Sequence, residues 1–237
     1  MKLKISFNEI KDAIELVSYE RHYLIDKKNH TIIFVSELED DYEKKLEEVE
    51  NDNFIGIEPR MPEDDFRIMQ SFVYEINDFS LAQKLDASLS RRKPFKHFKE
   101  IIDQNPYLRE KWFKHRHKEL ANEAMNWLCL HNIELEDNSF MPKIEIKELK
   151  AEVKLPEEFE GFGPVACMEC SNKEGLKTRY FELNVPSENM LIEKEIKRIM
   201  KENFGIGDYG CIGGGEKEIL TRSECPKCKS KEIFEDF

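Results

Sequence analysis

Two short cysteine motifs carry the clearest chemistry in this 237-residue sequence. Cys167-Met168-Glu169-Cys170 and Cys225-Pro226-Lys227-Cys228 are both C-x-x-C pairs. A C-x-x-C turn sets two sulfurs on one side of a tight loop, and two such turns brought together offer four soft ligands. Zinc takes four thiolates tetrahedrally, at about 2.3 Å. The expectation is one Zn2+ held by Cys167, Cys170, Cys225 and Cys228. Its role would be structural, because a catalytic zinc keeps one position open. Iron in a sulfur-only tetrahedral site is the competing metal. A redox dithiol is the competing thiol chemistry, but such a motif rarely comes twice in so short a domain.

The spacing departs from the common pattern. Residues 171–224, fifty-four of them, separate the pairs, where about 15–20 is usual. The second pair lies in Glu224-Cys225-Pro226-Lys227-Cys228-Lys229-Ser230-Lys231, which resembles a zinc-ribbon knuckle. Its lysines favour thiolates electrostatically. A small domain with few apolar residues would depend on the metal for its fold. Cys211 reads as a bystander in a glycine-rich loop, and Cys129, beside Trp127 and Leu128, as a buried core residue.

Other motifs are weaker. Gly205-Ile206-Gly207-Asp208-Tyr209-Gly210 matches G-x-G-x-x-G. The dinucleotide fingerprint needs a strand before it and a helix after it, and here the order is reversed. With Gly213-Gly214-Gly215 it reads as a flexible connector. His115 and His117 would point apart on a helix. No H-E-x-x-H or G-x-S-x-G is present. The acids from Glu37 to Asp52 lack the calcium-loop pattern and read as a solvated face. For an enzyme assembled from distant residues, Glu58, Arg60, His97 and Asp103 are the polar groups to inspect.

A formal charge of −12 argues against general affinity for nucleic acid or anionic membranes. The charge is uneven. Arg91 to Lys118 holds ten Lys/Arg against three Asp/Glu. Arg91, Arg92, Lys93, Lys96, Lys99, Lys111, Lys114, Arg116 and Lys118 interleave with Phe95, Phe98, Trp112 and Phe113. Such a stretch can meet phosphates and stack on bases. The blander reading makes the aromatics core and the cations their solvent-facing neighbours; helical spacing favours it. No run of 18 apolar residues spans a membrane. No apolar segment follows the N-terminus, so a cytoplasmic protein is expected.

The elements that position these groups follow from periodicity. Ser6-Phe7-Asn8-Glu9 is a capping box opening a helix with Ile10, Ile14 and Val17 inward. Residues 23–26 and 31–36 read as strands around a turn at Lys27–His30, and 53–57 as a third strand. Helices follow from Pro62, from Asp78 or Ser80 to Leu89, from Pro94, and from Pro106 to about His131. Their core faces would carry Phe66, Met69, Val73 and Ile76; Phe95, Phe98 and Ile102; and Trp112, Leu120, Ala124 and Leu128. Residues 137–142 read as a linker. Strands are expected over 143–153, 176–183 and 216–222. An amphipathic helix spans 187–204, with Ile192, Ile196 and Ile199 inward and Gly205 as its stop.

Residues from about 5 to 135 resemble a bacterial family, number 0158 in the series of uncharacterised proteins. The resemblance rests on His22-Tyr23-Leu24-Ile25-Asp26, Ile32-Ile33-Phe34-Val35-Ser36-Glu37 and Phe54-Ile55-Gly56-Ile57-Glu58-Pro59. It continues through Phe95-Lys96-His97-Phe98-Lys99, Leu108-Arg109-Glu110-Lys111-Trp112-Phe113, Ala124-Met125-Asn126-Trp127-Leu128 and Ile133-Glu134-Leu135. It implies a compact α+β domain and no assigned activity.

The expected fold class is therefore α+β. A helix-rich domain with a small antiparallel sheet (1–138) precedes a zinc-ribbon-like domain with a helical insertion (143–237). The expected function is a non-enzymatic binding or adaptor protein with a structural zinc and a protein partner. Nucleic-acid binding through residues 91–118 and an enzyme with a dispersed site are the alternatives.

Overall fold

The computed structural model describes residues 1–149, 163–174, 177–214, 217–231 and 233–236. The chain divides into two compact units, Met1–Asn138 and Ser139–Phe237. Among the described residues it is a mixed α/β protein with seven helices and small, mostly antiparallel sheets.

The first unit opens with β1 (Lys2–Leu3) and α1 (Phe7–Leu16). The capping box forms as expected: Ser6 Oγ accepts from the Glu9 N–H, and Glu9 accepts from the Ser6 N–H. Ile10, Ile14 and Val17 are buried. Strands β2 (Arg21–Asp26), β3 (Thr31–Ser36) and β4 (Phe54–Ile57) form an antiparallel sheet in the order β3-β2-β4. His30 closes the hairpin turn at φ 55°. The acidic segment carries a short helix, α2 (Tyr42–Val49), that buries Val49 and leaves its acids at the surface.

Four helices then build the main core: α3 (Pro62–Tyr74), α4 (Phe79–Leu89), α5 (Pro94–Asp103) and α6 (Pro106–Leu130). Asp78, not Ser80, caps α4, accepting from the Leu81 N–H. Asn105 caps α6, and Pro106 occupies its first turn. Met69, Val73, Phe98, Ile102, Leu120, Ala124 and Leu128 are buried; Phe66, Ile76 and Trp112 are partly buried against the core. Phe95 departs from expectation and stays 43% exposed. Sequence reading passed over the centre of this core, Phe72, which is fully buried against Phe98 and Trp112 in edge-to-face contacts. After α6, β5 (Glu134–Leu135) pairs in parallel with β1 and ties the two ends of the unit together.

The second unit contains β6 (Ile146–Leu149), β7 (Gly163–Cys167), β8 (Lys177–Leu183), α7 (Met190–Phe204), β9 (Gly210–Gly214), β10 (Lys217–Glu224) and β11 (Ile233–Asp236). The expected strand over 143–153 is observed only at β6, and residues 150–153, Leu176 and Glu216 lie outside the described residues. Four strands form an antiparallel sheet in the order β6-β8-β10-β9; β7 and β11 form a separate antiparallel pair. Helix α7 starts later than expected because Asn189 caps it, accepting from the Ile192 N–H. Ile192, Ile196 and Met200 are buried, whereas Ile199 is only half-buried. Gly205 terminates α7 at φ 68°, a left-handed conformation that glycine adopts without Cβ strain. Phe181, Leu183, Ile219 and Leu220 are buried on the sheet. The unit thus has an apolar core of its own beside the cysteine loops.

Two further expectations change. The glycine-rich segment is connector only in part: Gly210–Gly214 is strand β9, paired with Thr221–Lys217 of β10, and Gly215 lies outside the described residues. Cys129 is half-buried and not a core residue.

Candidate metal centre

Strands carry the two cysteine pairs to one place. β7 ends at Cys167, and β10 runs directly into Cys225. The antiparallel pairing of β7 with β11 brings Ile233 opposite Cys167, soon after the second cysteine pair.

The two C-x-x-C segments fold into the same loop. In the first, the Ser171 N–H donates to the Cys167 carbonyl at 2.8 Å, and the Cys167 N–H donates to the Asn172 carbonyl at 2.9 Å. In the second, the Lys229 N–H donates to the Cys225 carbonyl at 3.0 Å, and the Cys225 N–H donates to the Ser230 carbonyl at 2.9 Å. Each loop turns through a residue at positive φ, Ser171 and Lys229.

The four sulfurs all lie within 4.8 Å of one another. Across the loops, Cys167 Sγ is 3.5 Å from Cys228 Sγ, and Cys170 Sγ is 3.7 Å from Cys225 Sγ. These separations are far beyond a disulfide bond of about 2.05 Å. They suit the edges of a thiolate tetrahedron, which are about 3.8 Å for metal–sulfur bonds near 2.3 Å. Cys167 and Cys225 are buried, Cys170 is half-buried and Cys228 is exposed, so one edge of the cluster faces solvent.

The electrostatics come mainly from the backbone. The Cys225 thiol is held down at about 6, first by the Cys228 N–H, against burial, and also by the Lys227 N–H and the neighbouring thiols. Cys228 moves the other way, to about 12: the Ser230 N–H works to lower it but is outweighed by burial and three surrounding thiols. One anionic sulfur therefore makes its neighbours harder to ionise, and a bound dication reverses that. The lysine side chains contribute less than their sequence positions suggest, since Lys229 Nζ turns 3.9 Å toward Glu224. Asn172 was not anticipated; its Nδ2 donates to Cys225 Sγ at 3.8 Å. Cys211 lies outside the cluster, with its thiol 3.8 Å from Glu218 Oε2.

The other candidates do not assemble into a site. Trp127 Nε1 donates to Glu58 at 3.2 Å. Arg60, with a side chain 10% exposed, bridges Asp65 at 2.7 Å and Glu123 at 2.8 Å. Burial, opposed by Arg60, holds the Glu123 carboxyl above its ordinary range. His97 pairs with Glu100 at 3.1 Å and Asp103 with Arg109 at 3.6 Å. These four residues are thus spread over separate local contacts. His115 and His117 do part company: His117 meets Lys11 Nζ at 2.7 Å, while buried His115 meets Ser71.

Ser71, His115 and Glu75 form an arrangement that sequence reading missed. Ser71 Oγ is 2.9 Å from His115 Nε2, and His115 Nδ1 is 3.0 Å from Glu75 Oε2. The order resembles nucleophile, base and acid. The surroundings do not suit acyl transfer. Ser71 sits inside α3 with its Oγ donating to the Ile68 carbonyl at 3.0 Å. Backbone N–H groups there are engaged in the helix and cannot form an oxyanion hole.

The basic stretch divides in two. Phe98 is buried and Trp112 packs on the core, but Phe95 and Phe113 are 43% and 52% exposed. Lys96, Arg109, Lys114 and Arg116 have carboxylate partners. Among the described residues, Arg91, Arg92, Lys93, Lys99 and Lys111 have none. None of the described helices is long and apolar enough to cross a membrane.

Comparison with known proteins places the first unit. The UPF0158 protein PA5073 of Pseudomonas aeruginosa is 26% identical over 140 residues, which cover 59% of this chain and 86% of that protein. No solved structure matches the chain. The matched family region starts earlier and ends later than the residues that first suggested it, reaching β6 and stopping before Cys167. With residues 2–149 matched, the chain belongs to the uncharacterised protein family UPF0158.

Proposed function

We propose that this protein is a non-enzymatic binding or adaptor protein. In this reading its second unit carries one structural zinc ion on Cys167, Cys170, Cys225 and Cys228. The observation that carries the zinc assignment is the convergence of four thiols from two matching loops within 4.8 Å. Matching knuckles and a two-stranded antiparallel pair are features of zinc ribbons, here with β8, α7, β9 and β10 between the knuckles. The zinc would close the knuckles into a rigid surface. It would do no chemistry, because four protein ligands leave no position for substrate.

Metal analysis of the purified chain tests this. One zinc per chain, lost in Cys170→Ser and Cys225→Ser, is expected. A coloured iron–thiolate species would replace zinc with iron, and no bound metal in freshly prepared reduced protein would overturn the site.

The adaptor role rests on exposed charge of both signs in the first unit, the acidic segment around α2 and the unpaired cations of α5 and its flanks. A partner in a bacterial lysate that wild-type protein retains, and that Arg92→Glu with Lys99→Glu releases, is expected. Identical retention by wild type and the charge-reversed variant would count against it.

Nucleic-acid binding is the second reading. It is favoured by the exposure of Phe95 and Phe113, the latter under the Arg109 guanidinium. Titration with labelled single-stranded RNA and DNA decides it. Binding that weakens steeply with salt supports this reading, and none at low salt sinks it.

A further inference from the structure

The solvent-facing edge of the cysteine cluster gives its four sulfurs unequal access to a small oxidant. Cys228 is exposed and Cys170 half-buried, whereas Cys167 and Cys225 are buried. The close approaches across the loops pair these classes. Cys167 Sγ lies 3.5 Å from Cys228 Sγ, and Cys170 Sγ lies 3.7 Å from Cys225 Sγ. Each more accessible sulfur thus has a buried sulfur of the other loop beside it. Redox-sensing cysteines combine these two features, an accessible thiolate and a resolving thiol next to it.

The same geometry selects the bonds that would form. A disulfide of about 2.05 Å requires the paired sulfurs to close by roughly 1.5 Å. Across the loops, that closure needs only a small approach of two turns that keep their own hydrogen bonds. Within a loop, the bond would have to form inside a turn that already aims both sulfurs at the cluster. Asn172 then distinguishes the two cross-loop pairs. Its Nδ2 donates to Cys225 Sγ at 3.8 Å. A donor on a thiolate lowers its basicity, and with it its nucleophilicity. The pair of Cys167 and exposed Cys228 is therefore the first to react.

Cys211 is the other exposed cysteine and lacks these features. Its thiol is 3.8 Å from Glu218 Oε2 and outside the cluster. Partial burial of that thiol, and then Glu218, push it up to about 11, so it stays protonated and poorly nucleophilic at neutral pH.

We infer that Cys228 is the site at which a peroxide oxidises this chain, and that Cys167 is its resolving thiol. The Cys228 thiolate attacks hydrogen peroxide. An S–O bond forms, the O–O bond breaks, and the departing hydroxide takes a proton to become water. Cys167 Sγ then attacks the Cys228 sulfenic acid. An S–S bond forms, the S–O bond breaks, and a second hydroxide leaves as water. Two thiolates, one peroxide and two protons thus give one disulfide and two waters, with the sulfurs supplying both electrons. Cys170 and Cys225 are left as two ligands where zinc takes four, so the metal is released. A second peroxide joins them in the same way, and disulfides fasten the loops in place of the metal. Only the metal release rests on the zinc reading; the reactive cysteine and the pairing rest on the arrangement of the four thiols.

The test uses the full chain, reduced and zinc-loaded, with zinc counted before hydrogen peroxide is added. Limiting peroxide is expected to give Cys167–Cys228 as the first disulfide in peptide mapping, with zinc passing to a chromogenic chelator in step with it. Excess peroxide should add Cys170–Cys225. In Cys167→Ser, which lacks the resolving thiol, dimedone is expected to trap sulfenic acid at Cys228 at least about tenfold more than at any other cysteine. Cys211→Ser should release zinc at the wild-type rate. Wild-type disulfides within Cys167–Cys170 or Cys225–Cys228, sulfenic acid mainly at another cysteine, or thiols that survive excess peroxide overturn the proposal. A chain without zinc at the outset fails the zinc reading, and its disulfide map still decides the pairing.

Discussion

Ser171 and Lys229 occupy equivalent places in two copies of one loop. Each follows the second cysteine of its pair, each sits at positive φ (55° and 63°), and each donates its N–H back to the first cysteine's carbonyl. An L-residue in the left-handed region costs about 1–2 kcal/mol. The loop tolerates that because the turn aims both sulfurs inward. Lys229→Gly should therefore stabilise the knuckle by up to about 1 kcal/mol, while Lys229→Val should destabilise it by about 1–2 kcal/mol. Urea unfolding of the metal-loaded protein measures both. Equal effects of Gly and Val would show that backbone conformation is not what selects this position.

Metal removal should act locally. The α7 side of the second unit has an apolar core in Phe181, Ile196, Met200 and Leu220. The pairing of β7 with β11 has the cysteine cluster at its end. Chelation, or Cys225→Ser, is expected to speed hydrogen exchange at the knuckles and in β7 and β11. The amides of α7, β8 and β10 should stay protected. Acid should release the metal as the thiolates protonate. Collapse of protection throughout the second unit would show that the metal nucleates all of it.

The parts of the fold legible in the sequence are those decided locally. The capping box at Ser6 and Glu9, the prolines at 62, 94 and 106, and the helical stop at Gly205 all fold as local chemistry dictates. The cysteine cluster was legible for the same reason, because C-x-x-C is a local turn. What escaped depends on partners distant in sequence. β9 is a strand because β10 offers it a register, and its glycines carry no β signal of their own. β11 is one because β7 pairs with it. His115 is buried through contacts with Ser71 and Phe72 of α3, which its own helix does not reveal. The basic stretch was half legible: helical spacing located Phe98 inside, but the same spacing could not place Phe95 and Phe113 outside.

Asp26 ties the turn of the first hairpin and should make it acid-sensitive. Its carboxylate accepts from the Asn29 N–H at 3.0 Å, the Lys28 N–H at 2.9 Å and Asn29 Nδ2 at 2.7 Å. The Asn29 N–H is the main reason its pKa lies below the usual 3.8. A carboxyl that holds its proton less tightly when folded contributes stability above its unfolded pKa. That contribution is lost as pH falls through the folded value. Asp26→Asn should lower the urea midpoint at pH 7 and flatten its decline between pH 5 and about pH 2. An unchanged slope would place the acid sensitivity elsewhere.

The Ser71–His115 contact invites a catalytic interpretation, and two measurements separate it from a structural one. His115 has a side chain only 3% exposed and stacks on Trp112 beside Phe72. Its Nδ1 approaches Glu75 at 3.0 Å but too obliquely for an aligned hydrogen bond. Its good bond is therefore the one to Ser71. A structural role makes that bond a means of satisfying a buried ring nitrogen. Ser71→Ala should then cost about 1–3 kcal/mol by leaving Nε2 unpaired, and Ser71→Thr should recover part of the loss. A fluorophosphonate probe should leave wild-type Ser71 unlabelled, because no N–H in mid-helix is free to stabilise the adduct. Labelling at Ser71, abolished by His115→Gln, would make it a nucleophile after all. That outcome would place chemistry in the first unit and overturn the non-enzymatic reading.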